Sequence, residues 1–309
     1  MSSNDLNKTE PEAGALAPGQ APYSMPPQIV LKAEREVAAD SPDSLVMVGT
    51  WNDSSINRRF NDKLYAMYRW AEELKNSSGG ASRLVPQYYG GISRTAEPLK
   101  VLDLGCAGGG FVRTCLDDGC LAVGLEGSDC SKRYRRAEWR FIPEHLFTCD
   151  ITERFEIFVR NGAELKPLRF DVVTCWEVIE HITEQGLNEV AANVRRHLAQ
   201  DGIWIMSVSR HEEVKRGARL HQTVKRRAWW IRKFAELGFY HSEPHVRYFH
   251  GHFVRGPRFG APGSFHLVLA QDKSCLPPIP PESVLRRIFD IWLGSPPQKL
   301  LHRILRRDY

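Results

Sequence analysis

The sequence lacks long apolar runs, a signal-like N-terminus and any paired cysteine motif. No window approaches the ~20 continuous apolar residues that are needed to cross a bilayer, so a membrane-spanning protein is not expected. The N-terminal stretch MSSNDLNKTEPEAGALAPGQAP has neither the basic start nor the apolar core of a secretory signal. These absences predict a cytoplasmic protein.

Cysteine usage and charge exclude further classes. The seven cysteines are scattered, odd in number and without a C-x-x-C pair, which argues against a disulfide framework and a zinc ribbon. The net charge of +5 is small for 309 residues, so it permits an anionic partner without requiring one. A composition of 42% hydrophobic and 26% charged residues is that of an ordinary soluble protein with one large domain or two small ones.

Composition divides the chain into four regions. Residues 1–45 are rich in Pro, Ala, Ser and Asp, which predicts a flexible N-terminal extension. Within residues 46–96, apolar side chains recur at three- and four-residue steps from Ser55 to Lys75 and predict an amphipathic helix. Residues 97–272 alternate short apolar runs with helical stretches, which is typical of an α/β domain. Residues 273–309 begin with a proline-rich stretch and predict a basic helical tail.

The apolar runs of the α/β region predict a doubly wound, Rossmann-like sheet of seven strands. The predicted strands are Lys100–Leu104, Leu121–Glu126, Leu146–Cys149, Phe170–Cys175, Gly202–Ser207, His245–Phe249 and Phe265–Ala270. Helices are predicted at Leu187–Leu198 and Lys225–Leu237. No helix is expected between the last two strands, so we expect them to pair antiparallel at the sheet edge.

The tail contains two basic amphipathic stretches, Glu282–Leu293 and Gln298–Arg307. Helices that dock on the domain are the favoured interpretation. Dimerisation and peripheral contact with an anionic membrane surface are the alternatives.

A glycine-dense turn directly follows the first strand of the sheet, in the segment LKVLDLGCAGGGF. Glycines there let the backbone approach a ligand closely. Glu126 ends the next strand, 21 residues after Gly105, where a carboxylate accepts the hydroxyls of an adenosine ribose. The spacing therefore predicts a cofactor that contains a nucleoside.

Asp103 separates two interpretations of this turn, because the glycines also loosely match the dinucleotide fingerprint of nicotinamide enzymes. A carboxylate two residues before Gly105 would repel a pyrophosphate, but it offsets the charge of an ammonium group. A cofactor that is cationic at this end is therefore favoured, and an NAD-dependent oxidoreductase is the disfavoured alternative.

The run VLDLGCAGG resembles the first motif of class I S-adenosylmethionine-dependent methyltransferases, approximately V-L-D-x-G-x-G-x-G, with Ala107 in place of the middle glycine. The segments LFTCDIT, FDVVTCWEVIEH and LAQDGIWIMSVS continue the resemblance in order. The resemblance implies that S-adenosylmethionine is the cofactor, that Glu126 holds its ribose and that Asp150 reaches its adenine amine. The cofactor-binding residues that it predicts are Asp103, Gly105, Ala107, Gly109, Glu126, Asp150 and Glu177.

The segment E-V-I-E-H places Glu177, Glu180 and His181 on one face if it is helical. With His221 it resembles ubiquinone-pathway O-methyltransferases and small-RNA 2′-O-methyltransferases, in which the matching positions are implicated in holding a divalent cation. The resemblance implies Mg²⁺, Mn²⁺, Fe²⁺ or Zn²⁺ at these four residues, and the residues do not choose among them. The alternative without a metal makes His181 or His221 the catalytic base.

The acceptor is expected to contact the helix at Ser55–Lys75, the loop Arg210–His221 and the stretch Tyr248–Phe265, which combine basic and aromatic side chains. These would suit a hydroxyl of a small metabolite, including an acidic, phosphorylated or sugar-containing one, or RNA. The modest net charge and the absence of an RNA-binding motif favour the small molecule over nucleic acid. A non-catalytic cofactor-binding relative is the remaining alternative.

Overall fold

The fold is seen in a computed structural model. The model describes residues 28–38, 41, 54–77, 98–255 and 263–283, together with Leu285, Ile288, Trp292 and Pro297. The predicted stretch Gln298–Arg307 and most of Glu282–Leu293 lie outside these residues. Within the described part of the chain, no helix combines the length and the apolar character needed to span a membrane.

Strands and helices alternate through most of the described chain. In chain order, the strands are β1 (Gln28–Ala33), β2 (Lys100–Leu104), β3 (Leu121–Glu126), β4 (Leu146–Thr148), β5 (Phe155–Asn161), β6 (Glu164–Pro167), β7 (Phe170–Trp176), β8 (Leu198–Val208), β9 (Val214–Lys215), β10 (Ala218–Arg219), β11 (Tyr240–His241) and β12 (Phe265–Ala270). The α-helices are α1 (Ser54–Ser77), α2 (Gly110–Asp117), α3 (Cys130–Arg133), α4 (Gly186–His197), α5 (Arg227–Glu236) and α6 (Glu243–Phe249).

Seven of these strands form the central sheet, in the order β11-β12-β8-β7-β2-β3-β4. Within this sheet the five strands β4, β3, β2, β7 and β8 pair in parallel, and β12 pairs antiparallel with both β8 and β11. The inner strands read as continuous apolar runs because both of their faces are buried. The doubly wound seven-stranded sheet predicted from the sequence is therefore confirmed.

The sixth strand was predicted in the wrong place. His245–Phe249, predicted as a strand, belongs to helix α6, and the edge strand is the two-residue β11 instead. The helix begins after Ser242, whose hydroxyl contacts His245 Nδ1 at 2.7 Å, and Pro244 lies in its first turn, where proline fits a helix. Buried side chains then recur at helical steps, at His245, Tyr248 and Phe249. The antiparallel pairing at the edge is present, but α6 lies between its two strands.

The expectation of a flexible extension is wrong for residues 28–38. Strand β1 pairs antiparallel with β5, which pairs with β6, so these three strands form a second sheet. The β5–β6 hairpin was not predicted; Asn161 pairs with Glu164, so its two-residue loop is Gly162-Ala163, with glycine at the first loop position. Gly162 has a φ of 61°, as such a turn requires. The remaining residues of the predicted extension, except Ser41, lie outside the described chain.

Helices cover both faces of the central sheet and bury two apolar cores. One core contains the inner faces of α4 and α5, and the other contains those of α1, α2 and α6. Helix α1 therefore packs directly against the α/β domain. Its Asn57 amide donates to the carbonyl of Gly110 at 3.3 Å and to Thr114 Oγ1 at 3.1 Å. This contact brings α1 to the start of the helix that follows the glycine turn.

Candidate active site

A cavity of about 940 Å³ opens at the carboxyl ends of the parallel strands, where doubly wound sheets bind their ligands. Eight of the predicted site residues line it. They are Asp103, Gly105, Ala107, Glu126, Asp150, Glu177, His181 and His221. The predicted residues Gly109 and Glu180 do not line it directly; Gly109 precedes helix α2, and Glu180 is fully buried beside the cavity.

The glycine turn closes one end of the cavity through three left-handed residues. Gly105, Ala107 and Gly109 have φ values of 72°, 47° and 83°. A Cβ at Gly105 would lie 2.3 Å from Val178 Cγ2, so only glycine fits there. Ala107 adopts its conformation because Trp139 Nε1 donates to its carbonyl at 2.8 Å. The alanine in the motif is therefore compatible with the turn.

Asp103 lies beneath the turn with 3% of its surface exposed. Burial raises the pKa of its carboxyl to about 7, the hydrogen bond from Thr174 lowers it and the charge of Glu126 raises it further. Thr174 Oγ1 donates to Asp103 Oδ1 at 2.6 Å. A cation next to this carboxyl would offset the free energy that burial costs its charged form.

Glu126 is held between two loops at the end of β3. Its Oε2 accepts the backbone N–H of Ala107 at 2.8 Å, and its Oε1 accepts that of Ser128 at 3.2 Å. The carboxylate thereby joins the glycine turn to the loop after β3. It is 7% exposed and forms part of the cavity wall.

Asp150 lines the cavity and also caps the turn that follows β4. Its Oδ1 accepts the backbone N–H of Thr152 at 3.0 Å and the Thr152 hydroxyl at 2.6 Å. Its Oδ2 lies 3.3 Å from Nη1 of Arg35, which also pairs with Glu153 at 3.0 Å. Both carboxylate oxygens therefore have partners within the chain.

The rings of His181 and His221 lie side by side in the cavity, with centroids 4.6 Å apart. His181 Nδ1 lies 3.0 Å from the carbonyl oxygen of Leu220, and His221 Nδ1 contacts the carbonyl oxygen of His211. A carbonyl accepts only, so each Nδ1 carries its proton and the lone pair of a neutral ring is on Nε2. Burial lowers the pKa of His181 to about 4, which keeps this ring neutral near pH 7.

Glu180 completes a compact group with the two histidines. One carboxylate oxygen of Glu180 and one ring nitrogen of each histidine all lie within 4.8 Å of one another. Glu180 Oε1 accepts the backbone N–H of Ser209 at 3.0 Å, and the buried Oε2 has no partner among the described residues. Burial, and then the charge of Glu177, raises the pKa of Glu180 to about 8. We call Glu180, His181 and His221 the Glu–His cluster.

Glu177 does not join this cluster, contrary to the four-ligand prediction. The segment is not a continuous helix, because Glu177 has a φ of 56° and only Ile179–His181 form a short 3₁₀ turn. Ser264 Oγ donates to Glu177 Oε2 at 2.9 Å, while the buried Oε1 has no partner among the described residues. The left-handed turn at Glu177 thus separates the two carboxylates that the sequence spacing had placed on one face.

A model of the family described as "methyltransferase domain" matches residues 81–255, which is more than half of the chain. The chain belongs to this methyltransferase family. This assignment replaces the oxidoreductase alternative that the glycine turn had left open.

Relatives of this methyltransferase include two ubiquinone biosynthesis O-methyltransferases. That of Glaesserella parasuis serovar 5 (strain SH0165) is 23% identical over 148 residues, covering 48% of this chain and 59% of the relative. That of Thiobacillus denitrificans (strain ATCC 25259 / T1) is 31% identical over 115 residues, covering 36% and 45%. This chain thus spans about half the length of these relatives. The crystal structure of the PH0226 protein from Pyrococcus horikoshii OT3 is 22% identical, covers 58% of this chain and 84% of that one, and has a TM-score of 0.38.

Several cavity-lining residues of the methyltransferase were not identified from the sequence. They are Arg35, Ala38, Ser41 and Trp176. The further lining residues Asn57 and Glu213 lie in the segments Ser55–Lys75 and Arg210–His221, which were expected to contact the acceptor. Arg35, Ala38 and Ser41 come from the segment after β1, whose backbone is tied to the cavity by Ala38 N–H donating to the Gly127 carbonyl at 2.8 Å. The turn at Gly162 indicated only that β5 pairs with β6, and no local pattern indicated that β1 pairs with β5.

Proposed function

We propose that this methyltransferase methylates a hydroxyl group of a small molecule. The observation that carries the proposal is the Glu–His cluster, which lies in the same cavity as the glycine turn. Methylation of a hydroxyl requires removal of its proton, and a neutral imidazole with a lone pair on Nε2 is suited to that task. The Nδ1 atoms of His181 and His221 both contact a carbonyl oxygen, whereas Nε2 of His221 also lies 3.2 Å from Glu213 Oε2 and acts as a base only when no proton is shared there.

The other end of the cavity suits S-adenosylmethionine. Its volume lies within the range of about 300–1,000 Å³ that is usual for ligand pockets. In our proposal the glycine turn passes beside the cofactor, Asp103 offsets its ammonium group and Glu126 accepts its ribose hydroxyls. Asp150 closes the adenine end together with Arg35, and Glu177 borders the region where cofactor and acceptor meet.

When bound, S-adenosylmethionine supplies a sulfonium methyl group that is already strongly electrophilic. The protein therefore has two tasks, which are to align the acceptor oxygen and to take up its proton. The ring of His181 is oriented by its Nδ1, which contacts the Leu220 carbonyl oxygen at 3.0 Å. Its Nε2 and that of His221 are the atoms at which we place proton removal.

The Glu–His cluster also fits a divalent cation. Its donors are two imidazole nitrogens and a carboxylate, and each histidine has the hydrogen bond from Nδ1 to a carbonyl that commonly orients a metal ligand. The partnerless Glu180 Oε2 is the further observation that indicates an ion. A bound cation would lower the pKa of the acceptor hydroxyl. We include this cation in the proposal.

The structure favours an aromatic acceptor over a strongly anionic one. Phe111 and Trp176 line the cavity, and their rings lie 5.9 Å apart. In contrast, two basic residues near the entrance form ion pairs within the chain, Lys215 with Glu213 at 2.5 Å and Arg219 with Glu212 at 3.5 Å. Such pairs leave less positive charge for an acidic metabolite or for RNA. The O-methyltransferase names of the relatives support an oxygen acceptor.

The proposal predicts methyl transfer to aromatic hydroxyls. The purified protein would be incubated with S-adenosylmethionine and a panel of catechols and phenols, and formation of S-adenosylhomocysteine would be followed by mass spectrometry. We expect turnover with at least one catechol and none with the corresponding dimethyl ether, because the ether has no proton to lose. Methylation of matched anilines or thiols in preference to every phenol would contradict a hydroxyl acceptor.

Asp103 is predicted to make cofactor affinity depend on pH. Because its pKa is raised to about 7, the carboxyl is mostly protonated at about pH 6 and mostly ionised at about pH 7.5. Only the ionised form offsets the ammonium group, so we expect S-adenosylmethionine to bind about five- to tenfold more weakly at the lower pH. Calorimetry with 5′-methylthioadenosine, which lacks the ammonium group, is the control. The same pH slope for both ligands, or in the Asp103→Asn variant, would refute the assignment.

A further inference from the structure

We propose that Glu213, and not Glu177, supplies the fourth protein ligand of the cation site. The cation then ties the turn after β7 to the hairpin formed by β9 and β10. This inference rests on the cation site of the proposed function and changes its composition. It also gives the hairpin, which we call the 213–220 hairpin, a defined role at the entrance of the cavity.

Glu213 already lies against the Glu–His cluster. Its Oε2 is 3.2 Å from Nε2 of His221, the ring atom that faces away from the backbone carbonyl. Carboxylate oxygens and neutral Nε2 atoms both act as acceptors, so the present contact between Glu213 and His221 requires a proton between them. A divalent cation bound between the two groups would take the place of that proton.

The contacts of Glu177 lie outside the cluster, although its buried Oε1 has no partner among the described residues. One of its oxygens accepts the Ser264 hydroxyl at 2.9 Å, and its backbone N–H donates to Ser207 Oγ at 3.0 Å. Its left-handed φ of 56° is fixed on both sides by strand β7 and by the 3₁₀ turn. Glu177 thus has its contacts with Ser264 and Ser207, whereas Glu213 already contacts a member of the cluster, His221.

The hairpin is built around the two histidines of the cluster. The Leu220 N–H donates to the Glu213 carbonyl at 2.8 Å, which closes the hairpin at its base. The Leu220 carbonyl in turn contacts Nδ1 of His181. His221 follows directly, so the base of the hairpin carries Glu213 and His221 and orients His181. A cation held by these groups therefore stabilises the hairpin as well as the acceptor hydroxyl.

The tip of the hairpin is exposed and bends at Arg216 and Gly217, which have φ values of 53° and 79°. Val214 is 62% exposed although it is apolar. The side chains of Glu212, Glu213 and Lys215 line the cavity from this segment. An element with few buried contacts opens locally at low free energy, so fixing its base with a cation should order it over the acceptor.

The test measures Mn²⁺ binding to the full chain by electron paramagnetic resonance, without any acceptor. We expect Glu213→Gln to weaken Mn²⁺ binding by about 10- to 100-fold and Glu177→Gln to leave it near the wild-type value. Glu212→Gln is the matched control, because Glu212 is the adjacent carboxylate, is 70% exposed and pairs with Arg219. Hydrogen exchange should show that Mn²⁺ protects residues 213–220 in the wild type and not in Glu213→Gln.

The outcomes separate this inference from the proposed function. If the wild type binds Mn²⁺ and Glu213→Gln binds it equally well, or if Glu177→Gln abolishes binding, the assignment of Glu213 is wrong and the cation site stands. If the wild type binds no Mn²⁺, both the cation site and the role of Glu213 are wrong. S-adenosylmethionine affinity, measured by calorimetry on the same samples, shows whether each variant is folded and whether the cofactor site is intact.

Discussion

Replacing Glu126 by alanine is expected to weaken S-adenosylmethionine binding by about 100- to 1,000-fold. In our proposal this carboxylate accepts two ribose hydroxyls, and a hydrogen bond to a charged group contributes about 1.5–3 kcal/mol. The variant also loses the acceptor for the N–H groups of Ala107 and Ser128. The cofactor would therefore lose a hydrogen-bond acceptor for its ribose, and it would bind next to a less ordered glycine turn. Calorimetric titration with S-adenosylmethionine measures the effect directly.

Glu164→Ala is the control for Glu126→Ala. Glu164 lies in strand β6 with its side chain 64% exposed, and it is not among the residues that line the cavity. We expect its removal to leave the affinity unchanged, because exposed ion pairs contribute little. Thermal unfolding in the absence of cofactor shows whether the Glu126 variant remains folded. A folded Glu126→Ala protein with wild-type affinity would disprove the ribose assignment.

The second large effect is expected on turnover. His181→Ala and His221→Ala should each lower kcat for the methylated hydroxyl by about 100- to 10,000-fold, the usual range for loss of a positioned general base. S-adenosylmethionine affinity should stay near the wild-type value, because Asp103, Glu126 and the glycine turn are unchanged. Steady-state rates with the best catechol, combined with calorimetry, separate the two quantities.

His145→Ala is the matched histidine control. Its Nδ1 lies 2.9 Å from the Ala122 carbonyl oxygen, and the residue is not among those lining the cavity. Repeating the assay with EDTA and with added Mg²⁺ distinguishes a base from a cation ligand, because only the cation depends on chelation. Wild-type turnover in both cavity variants would rule out proton removal at the Glu–His cluster.

The central sheet could be predicted because buried parallel strands leave a direct trace in the sequence. Each of β2, β3 and β7 is a short apolar run bounded by turn residues, and such a pattern needs no partner to be recognised. The stretch His245–Phe249 was misassigned for the same reason. Over five residues, buried side chains do not distinguish a strand from a single helical turn, and the helix signal was Ser242 at the N-cap position with Pro244 in the first turn.

The candidate site was predictable where it follows strand ends. Asp103 and Glu126 end or nearly end their strands, so the fold alone brings them to one edge of the sheet. The position of Glu177 was not predictable, since its spacing from Glu180 suits a helix and the left-handed residue that breaks the pattern is a glutamate. Arg35 was missed because its contact with Asp150 joins positions 115 residues apart. The pattern of residues around Arg35 does not show which distant residue it contacts.

The pairing of β1 with β5 has a consequence for how the chain reaches its folded state. During synthesis β1 leaves the ribosome before β5 has been made. Its backbone N–H and C=O groups therefore lack their strand partner while more than a hundred residues are added. Contacts at this separation form slowly, because a long loop must close before they contribute. We therefore expect the part of the cavity wall formed by Arg35, Ala38 and Ser41 to be completed late in folding. Binding of S-adenosylmethionine would then stabilise the molecules in which this wall has formed.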